Sequence, residues 1–528
     1  MSTTQLSKTA ISLFALHFLV GASSLLAAPG DQLGKVNFPT TCSSDVQPTI
    51  EKGVALLHSF QYKESEQTFT EAAAHDPKCA MAHWGKAMVL YHQLWDFPDD
   101  GTLKEGRKKI DQARKIKSTS PREKGFIAAA AAFFQKKSKM THAQRTQAYS
   151  SALEKFYAAN PGDSEIGSFY ALSLVSLADE DVDTMANLKK AIAILNPLLE
   201  KFPNHPGVAH YLIHASDRPE LASQGLEAAR RYAAIAPDSS HALHMPSHIF
   251  VRLGLWQDSI NSNIAAKGAG AHAAEMRMAE SHYQTHAMDF LNYSYLQSGQ
   301  EAKAREVITE EQNVVGAGEE SKAEHAADLA ARTALELHRW KEAAELPLPK
   351  VKPTSLELTY RVRVIGKAHL GDASGAQADL EKLKEIWAAQ DAEDRKQGYP
   401  VSNEKQLNSA EVWLLFAEAK HEDALREMRK IADRQDARGV DSLSMPAREM
   451  LADMLLELKH PAEALGEYKT ALKNSPNRFD GLLGAARAAQ ASGDATAAQT
   501  YYAQLTAVCA PSADRPELVE AKTYLAQK

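Results

Sequence analysis

A 34-residue echo near the end of the chain constrains its fold more than any other feature. Ala464, Tyr468, Ala471 and Pro476 stand at offsets 0, 4, 7 and 12; Ala498 and Tyr502 repeat the first two 34 residues later, and Leu505 takes the third place. Each residue type has a task in a packed helix pair. Alanine lets two helices approach, the aromatic ring fills the gap between them, and proline closes the second helix because it has no N–H to continue the ladder. The pattern recurs as Gly53, Phe69, Ala72 and Pro77, and again as Ala191, Leu198 and Pro203. Gly254, Gly299 and Gly371 stand where first helices should end before short turns. About a dozen helix pairs at this period account for residues 46 to 526. No strand-like alternation of convincing length interrupts them, so the expected fold is all-α.

Ser120-Pro121-Arg122-Glu123 reads as a helix start with a capping box. Leu346-Pro347-Leu348-Pro349 reads as a stiff connector, and residues Asp394 to Asn408, with Gly398 and Pro400, as an exposed insertion. The predicted organisation is a signal peptide at 1–28, a lead-in at 29–45, an N-terminal array at 46–350 that carries a histidine cluster, and a C-terminal array at 351–528. The signal peptide rests on Lys8, the apolar run Ala10 to Val20, and Ala27-Ala28 before Pro29-Gly30, which place cleavage after Ala28. A periplasmic or secreted protein is expected. No later segment approaches 18 apolar residues, so no membrane span is expected after cleavage. The net charge of −7 over 528 residues argues against a nucleic-acid partner.

Export bears on the three cysteines, Cys42, Cys79 and Cys509. Cys42 precedes the first repeat helix and Cys79 opens a helix of the next repeat. Stacked repeats bring those starts together, so a Cys42–Cys79 disulfide and a pair of buried thiols are the two alternatives.

In its repeat residues the chain resembles the tetratricopeptide-repeat superfamily over almost the whole mature length. The stretches Asp76 to Gly85 (DPKCAMAHWG) and His244 to Ile249 (HMPSHI) are similar to a group of exported bacterial proteins of that type. The resemblance implies a right-handed superhelical solenoid whose first helices line a concave groove for a peptide or protein partner. Fold alone implies no more than that.

Histidine is concentrated in three successive repeats. His210 and His214 are four apart; so are His244 and His248, with His241 one turn before; so are His282 and His286, with Asp289 one turn on. That spacing puts both rings on one helix face, where a metal can be bridged. Counted from Pro203 and Pro237, His210 and His214 take positions 5 and 9 of their repeat, and His241, His244 and His248 take positions 2, 5 and 9. Counted back from Gly299, His286, Asp289 and Tyr293 take positions 2, 5 and 9, while His282 falls before the helix. The resemblance implies that these positions face the groove.

The leading reading is an exported, non-enzymatic binding scaffold that uses this groove. The alternative is a metal-binding solenoid in which His210, His214, His244 and His248 meet at one zinc or copper ion, with His286 or Asp289 as a further ligand. Ligation needs neutral imidazole, so binding is expected to fade as pH falls through about 6.5. Met245, Met276, Met278 and Met288 lean toward copper or serve as core filler. Asp217 is placed to orient a histidine of the cluster. His58, His83, Trp84 and His92 either line the groove farther along or pack between helices. No G-x-S-x-G, phosphate-binding glycine loop or H-E-x-x-H is present.

Overall fold

The computed structural model describes residues 32–527, apart from 96, 118, 137–139, 180–183, 277–280 and 398–407. The expected signal peptide, its cleavage point and Met278 lie outside the described residues. Among the described residues the chain is helical with no strand, and consecutive helices pair in antiparallel hairpins from Gln47–His58 with Tyr62–His75 to Phe479–Ala491 with Ala495–Val508, before a last helix Leu518–Ala526. No described helix is long and apolar enough to cross a membrane.

The repeat residues act as their chemistry requires. A Cβ at Gly53 would lie 2.8 Å from the Phe69 ring, and one at Gly85 2.4 Å from it. Glycine therefore lets the helices of two neighbouring repeats close on one aromatic wedge. Eight first helices end in the same device. One residue turns left-handed, and the next N–H reaches back to a carbonyl five residues earlier, as in Leu255 to Phe250, Gln300 to Tyr295 and Asp372 to Lys367. The left-handed residue is Gly254, Gly299, Gly371 and Gly493 in four repeats, but Phe60, His338, Ala419 and Lys459 in four others. Ser120 and Glu123 form the expected capping box. The expected insertion begins differently: its first residues continue the helix Ala373–Gln397, and 398–407 lie outside the described residues.

The solenoid is wound tightly enough that distant repeats touch. Lys35 N–H donates to the Asn204 carbonyl at 2.8 Å, and the Tyr283 hydroxyl donates to the Phe60 carbonyl at 3.0 Å. Farther on, Trp256 Nε1 donates to the Asn477 carbonyl at 2.8 Å, and the Asp514 carboxylate caps the helix Glu301–Glu310 through the Glu301 and Ala302 N–H groups. Arg478, 1% exposed, links Glu336 and Glu449 in a buried ion cluster. One apolar core runs from Phe38 to Phe250, and another from Ala331 to Ala498. Cys42 and Cys79 are joined by a disulfide, and Cys509 is a free, half-buried thiol.

Candidate metal centre

Three successive first helices carry the histidines: Pro206–Ser216, the pair Ser240–His244 and Pro246–Arg252, and His282–Gln297. Pro246 splits the middle helix, because its nitrogen cannot donate; the chain continues through Met245 in helical conformation, so His244 and His248 still share a face.

The rings gather in two groups of three, where a single four-histidine site had been expected. In the first, His210 Nε2 lies 3.0 Å from His241 Nε2 and 3.1 Å from His214 Nε2. In the second, His244 Nε2 lies 3.1 Å from His248 Nε2, and the His286 ring is 4.4 Å from His244 between centroids. Within each group one nitrogen per ring lies within 4.8 Å of the others. The split has a geometric cause. His241 is one turn before His244 and reaches back to the Pro206–Ser216 helix, whereas His244 and His248 lean toward His282–Gln297.

Outer partners fix which nitrogen carries the proton. His210 Nδ1 faces the His58 carbonyl at 2.6 Å, and His248 Nδ1 faces the Asp217 carboxylate at 2.8 Å. His244 Nδ1 faces Asn263 Oδ1 at 2.7 Å, and Asn263 Nδ2 donates to the Ser259 carbonyl, which fixes the amide's orientation. All three partners are acceptors, so each Nδ1 is the donor and each Nε2 presents a lone pair. With both rings neutral, His244 and His248 therefore aim two lone pairs at each other across 3.1 Å, an arrangement relieved by a proton or a metal ion between them. Outer hydrogen bonds of this kind are what orient metal-ligating imidazoles.

Burial keeps His210, His214, His241, His244 and His286 neutral. His210, His241 and His244 are 0, 6 and 2% exposed. Desolvation pushes all three well below the ordinary histidine pKa, His214 to about 3 and His286 to about 4, with repulsion from neighbouring rings adding to the effect. Proton competition thus starts far below the pH of 6.5 expected for exposed imidazole. Asp217 keeps its charge against its own burial because Arg252 and His248 flank it, with Arg252 Nε at 2.8 Å.

The expected open groove wall is covered here. Phe60, in the left-handed turn of the first hairpin, lays its ring 4.4 Å from His210, 5.6 Å from His241 and 5.7 Å from His214. Segment 438–441 of the C-terminal half lies over the other side, its Arg438 and Val440 carbonyls accepting from Arg218 and Arg252. A pocket of about 410 Å³ remains between Trp95, His214, Asp217, Arg218, Arg252 and Val440.

Asp289 and Tyr293 do not join the cluster. The Asp289 carboxylate is held by Arg332 at 2.8 Å and His325 at 3.3 Å, and Arg478 donates to the Tyr293 hydroxyl in the buried ion cluster. Asp289 is thus taken by the next repeat in the stack, and Tyr293 by a distant repeat that the tight superhelix brings against it. His282 opens its helix, is exposed, and meets the Tyr283 ring edge-on. Met245 and Met288 pack in the apolar core, and Met276 is exposed. Trp84 is core, His83 is half-buried, and His92 stacks on Tyr62.

Sequence reasoning missed Glu165 and His205, and left His58 between two roles. His58 Nε2 and His205 Nε2 each lie 2.8 Å from a different Glu165 oxygen. The Val208 N–H donates to His205 Nδ1, and His58 Nδ1 meets the Tyr211 hydroxyl at 2.9 Å. Every polar atom of this trio has a partner, and both facing nitrogens donate to a carboxylate whose charge they preserve against burial. It is a closed hydrogen-bond network, unlike the two imidazole groups. Through the His58 carbonyl it also holds His210 in place. Aligning the repeats would have flagged Phe60 as the one apolar aromatic at a turn position that elsewhere holds glycine, histidine, alanine or lysine, though not what it covers.

No family model matches the chain, and no curated protein matches it. Among solved structures, it is similar to the Naa15/Naa10 complex bound to HypK-THB (12% identity, 91% of each chain covered, TM-score 0.26). It is also similar to the tetratricopeptide domain of P58(IPK) (13%, 92% of this chain and 99% of that one, TM-score 0.21) and to a human IFIT1 dimer with m7Gppp-AAAA (13%, 89% and 94%, TM-score 0.33). What those proteins hold is a property of those proteins. The chain itself is an all-α scaffold of stacked helix pairs.

Proposed function

We propose that this protein is an exported transition-metal protein that binds two ions, one at His210, His214 and His241 and one at His244, His248 and His286. The observation that carries the reading is the facing pair of bare Nε2 atoms on His244 and His248, each fixed by an acceptor at Nδ1. Three imidazoles suit zinc or copper and leave a coordination position for an exchangeable ligand. The alternative of a groove that grips a partner through these histidines is disfavoured by the burial of His210, His241 and His244. Export is supported by the Cys42–Cys79 disulfide, a bond that persists in oxidising compartments. Elemental analysis of the full chain after dialysis against zinc or copper tests the metal reading. Two ions per chain are expected, falling to one in His286→Gln with His244→Gln. A metal-free chain, or two ions retained by that variant, would refute it.

A further inference from the structure

Six neutral imidazoles supply no charge to two divalent ions. Of the nearby carboxylates, Asp217 reaches the cluster only through His248 and is shared with Arg252, and Asp289 is held by Arg332 and His325, so neither offers an oxygen to an ion. Two ions would therefore carry four positive charges into a site where His210, His241 and His244 are almost wholly buried, and uncompensated buried charge is costly. Anions from outside the chain must make up the balance.

The spacing of the groups says where such an anion sits. The His241 and His244 ring centroids are 6.4 Å apart, and those of His214 and His248 are 6.3 Å apart. Two rings of the first group, His214 and His241, are themselves 6.4 Å apart. The groups are thus no farther from each other than rings within one group. Ions held by each at bonds of about 2.0–2.1 Å would lie within reach of a shared small ligand, as in two-metal sites about 3.5–4 Å across. A route from outside exists as well. The pocket of about 410 Å³ reaches His214, which lies at the junction of the two groups and is one of their less buried members.

From this we infer that the two histidine groups form one dinuclear centre whose ligand is a small anion bridging both metals, admitted through the pocket beside His214. The inference rests on the metal reading above and adds the coupling and the anion class.

The test uses the full chain loaded with copper(II), with azide as the probe anion. The expected result is two coppers per chain with most of the electron paramagnetic resonance intensity lost through coupling, and one azide bound per copper pair. His286→Gln with His244→Gln, which dismantles the second group, should restore the full signal of its single copper. Two coppers with undiminished intensity, each binding its own azide, would overturn the dinuclear inference while leaving the metal reading intact. Fewer than two coppers in the unaltered chain would overturn both.

Discussion

Replacing Phe60 by glycine separates two opposing effects at one residue. Phe60 sits at φ 55°, a region where a non-glycine residue pays about 1–2 kcal/mol. Its ring is 1% exposed and packs on His210, Trp95 and Tyr211. Truncating a buried phenylalanine costs about 3–5 kcal/mol, so Phe60→Gly should destabilise by about 2–3 kcal/mol after the backbone is relaxed. Lys459 occupies the equivalent turn at φ 65° with an exposed side chain, so Lys459→Gly should stabilise by about 0.5–1 kcal/mol once the greater freedom of the unfolded glycine is counted. Urea unfolding gives both values, and Trp95 fluorescence provides a local reporter because its ring meets Phe60 at 5.3 Å. A shift of both variants in the same direction would refute this separation. In that event the turn, and not the ring over the histidines, decides the energetics of this hairpin.

Glu165→Gln removes the charge between His58 and His205 and should cost about 3–5 kcal/mol, the usual penalty for breaking a buried pair, read by calorimetry against the parent chain. Opening the Cys42–Cys79 bond, which closes a separation of 37 residues, should cost about 3–4 kcal/mol; a melting curve unchanged by reductant would contradict this. Burial opposes the charge on His325, yet Asp289 and Glu311 raise its pKa to about 9. A raised histidine stabilises fully below its unfolded pKa of about 6.5, and loses that stability as pH climbs through 9. Protection factors in the helix Glu319–Glu336, with the intrinsic pH dependence of exchange divided out, should therefore fall between about pH 7 and 9, and His325→Gln should abolish that fall.

The helix pairs were legible because their cause is local: a small residue, an aromatic and a proline within one repeat. The candidate ligands were legible for a similar reason, since a spacing of four on a helix needs no tertiary information. The partition into two groups was not. It depends on the rotation between neighbouring repeats, which decides that His241 turns toward His210 while His244 turns toward His286. Asp289 and Tyr293 were in register for the groove, but the next repeat pairs Asp289 with Arg332 and the tight winding brings Arg478 to Tyr293. Phe60 over the cluster, and Glu165 bridging His58 and His205, join residues more than 100 positions apart. No periodicity encodes such contacts.

Segment 438–441, held by Arg218 and Arg252, gives the protein an order of events during its own birth. The last histidine of the cluster emerges from the ribosome about 150 residues before the chain that will cover it. Until that later stretch has folded back, one flank of the six rings is open to whatever ions surround the growing or freshly translocated polypeptide. Once it settles, the pocket beside His214 is what the described residues leave as a route to them. On the metal proposal above, the surroundings in which the final repeats fold would set the ion the molecule keeps, and later changes in ion supply would reach it only slowly.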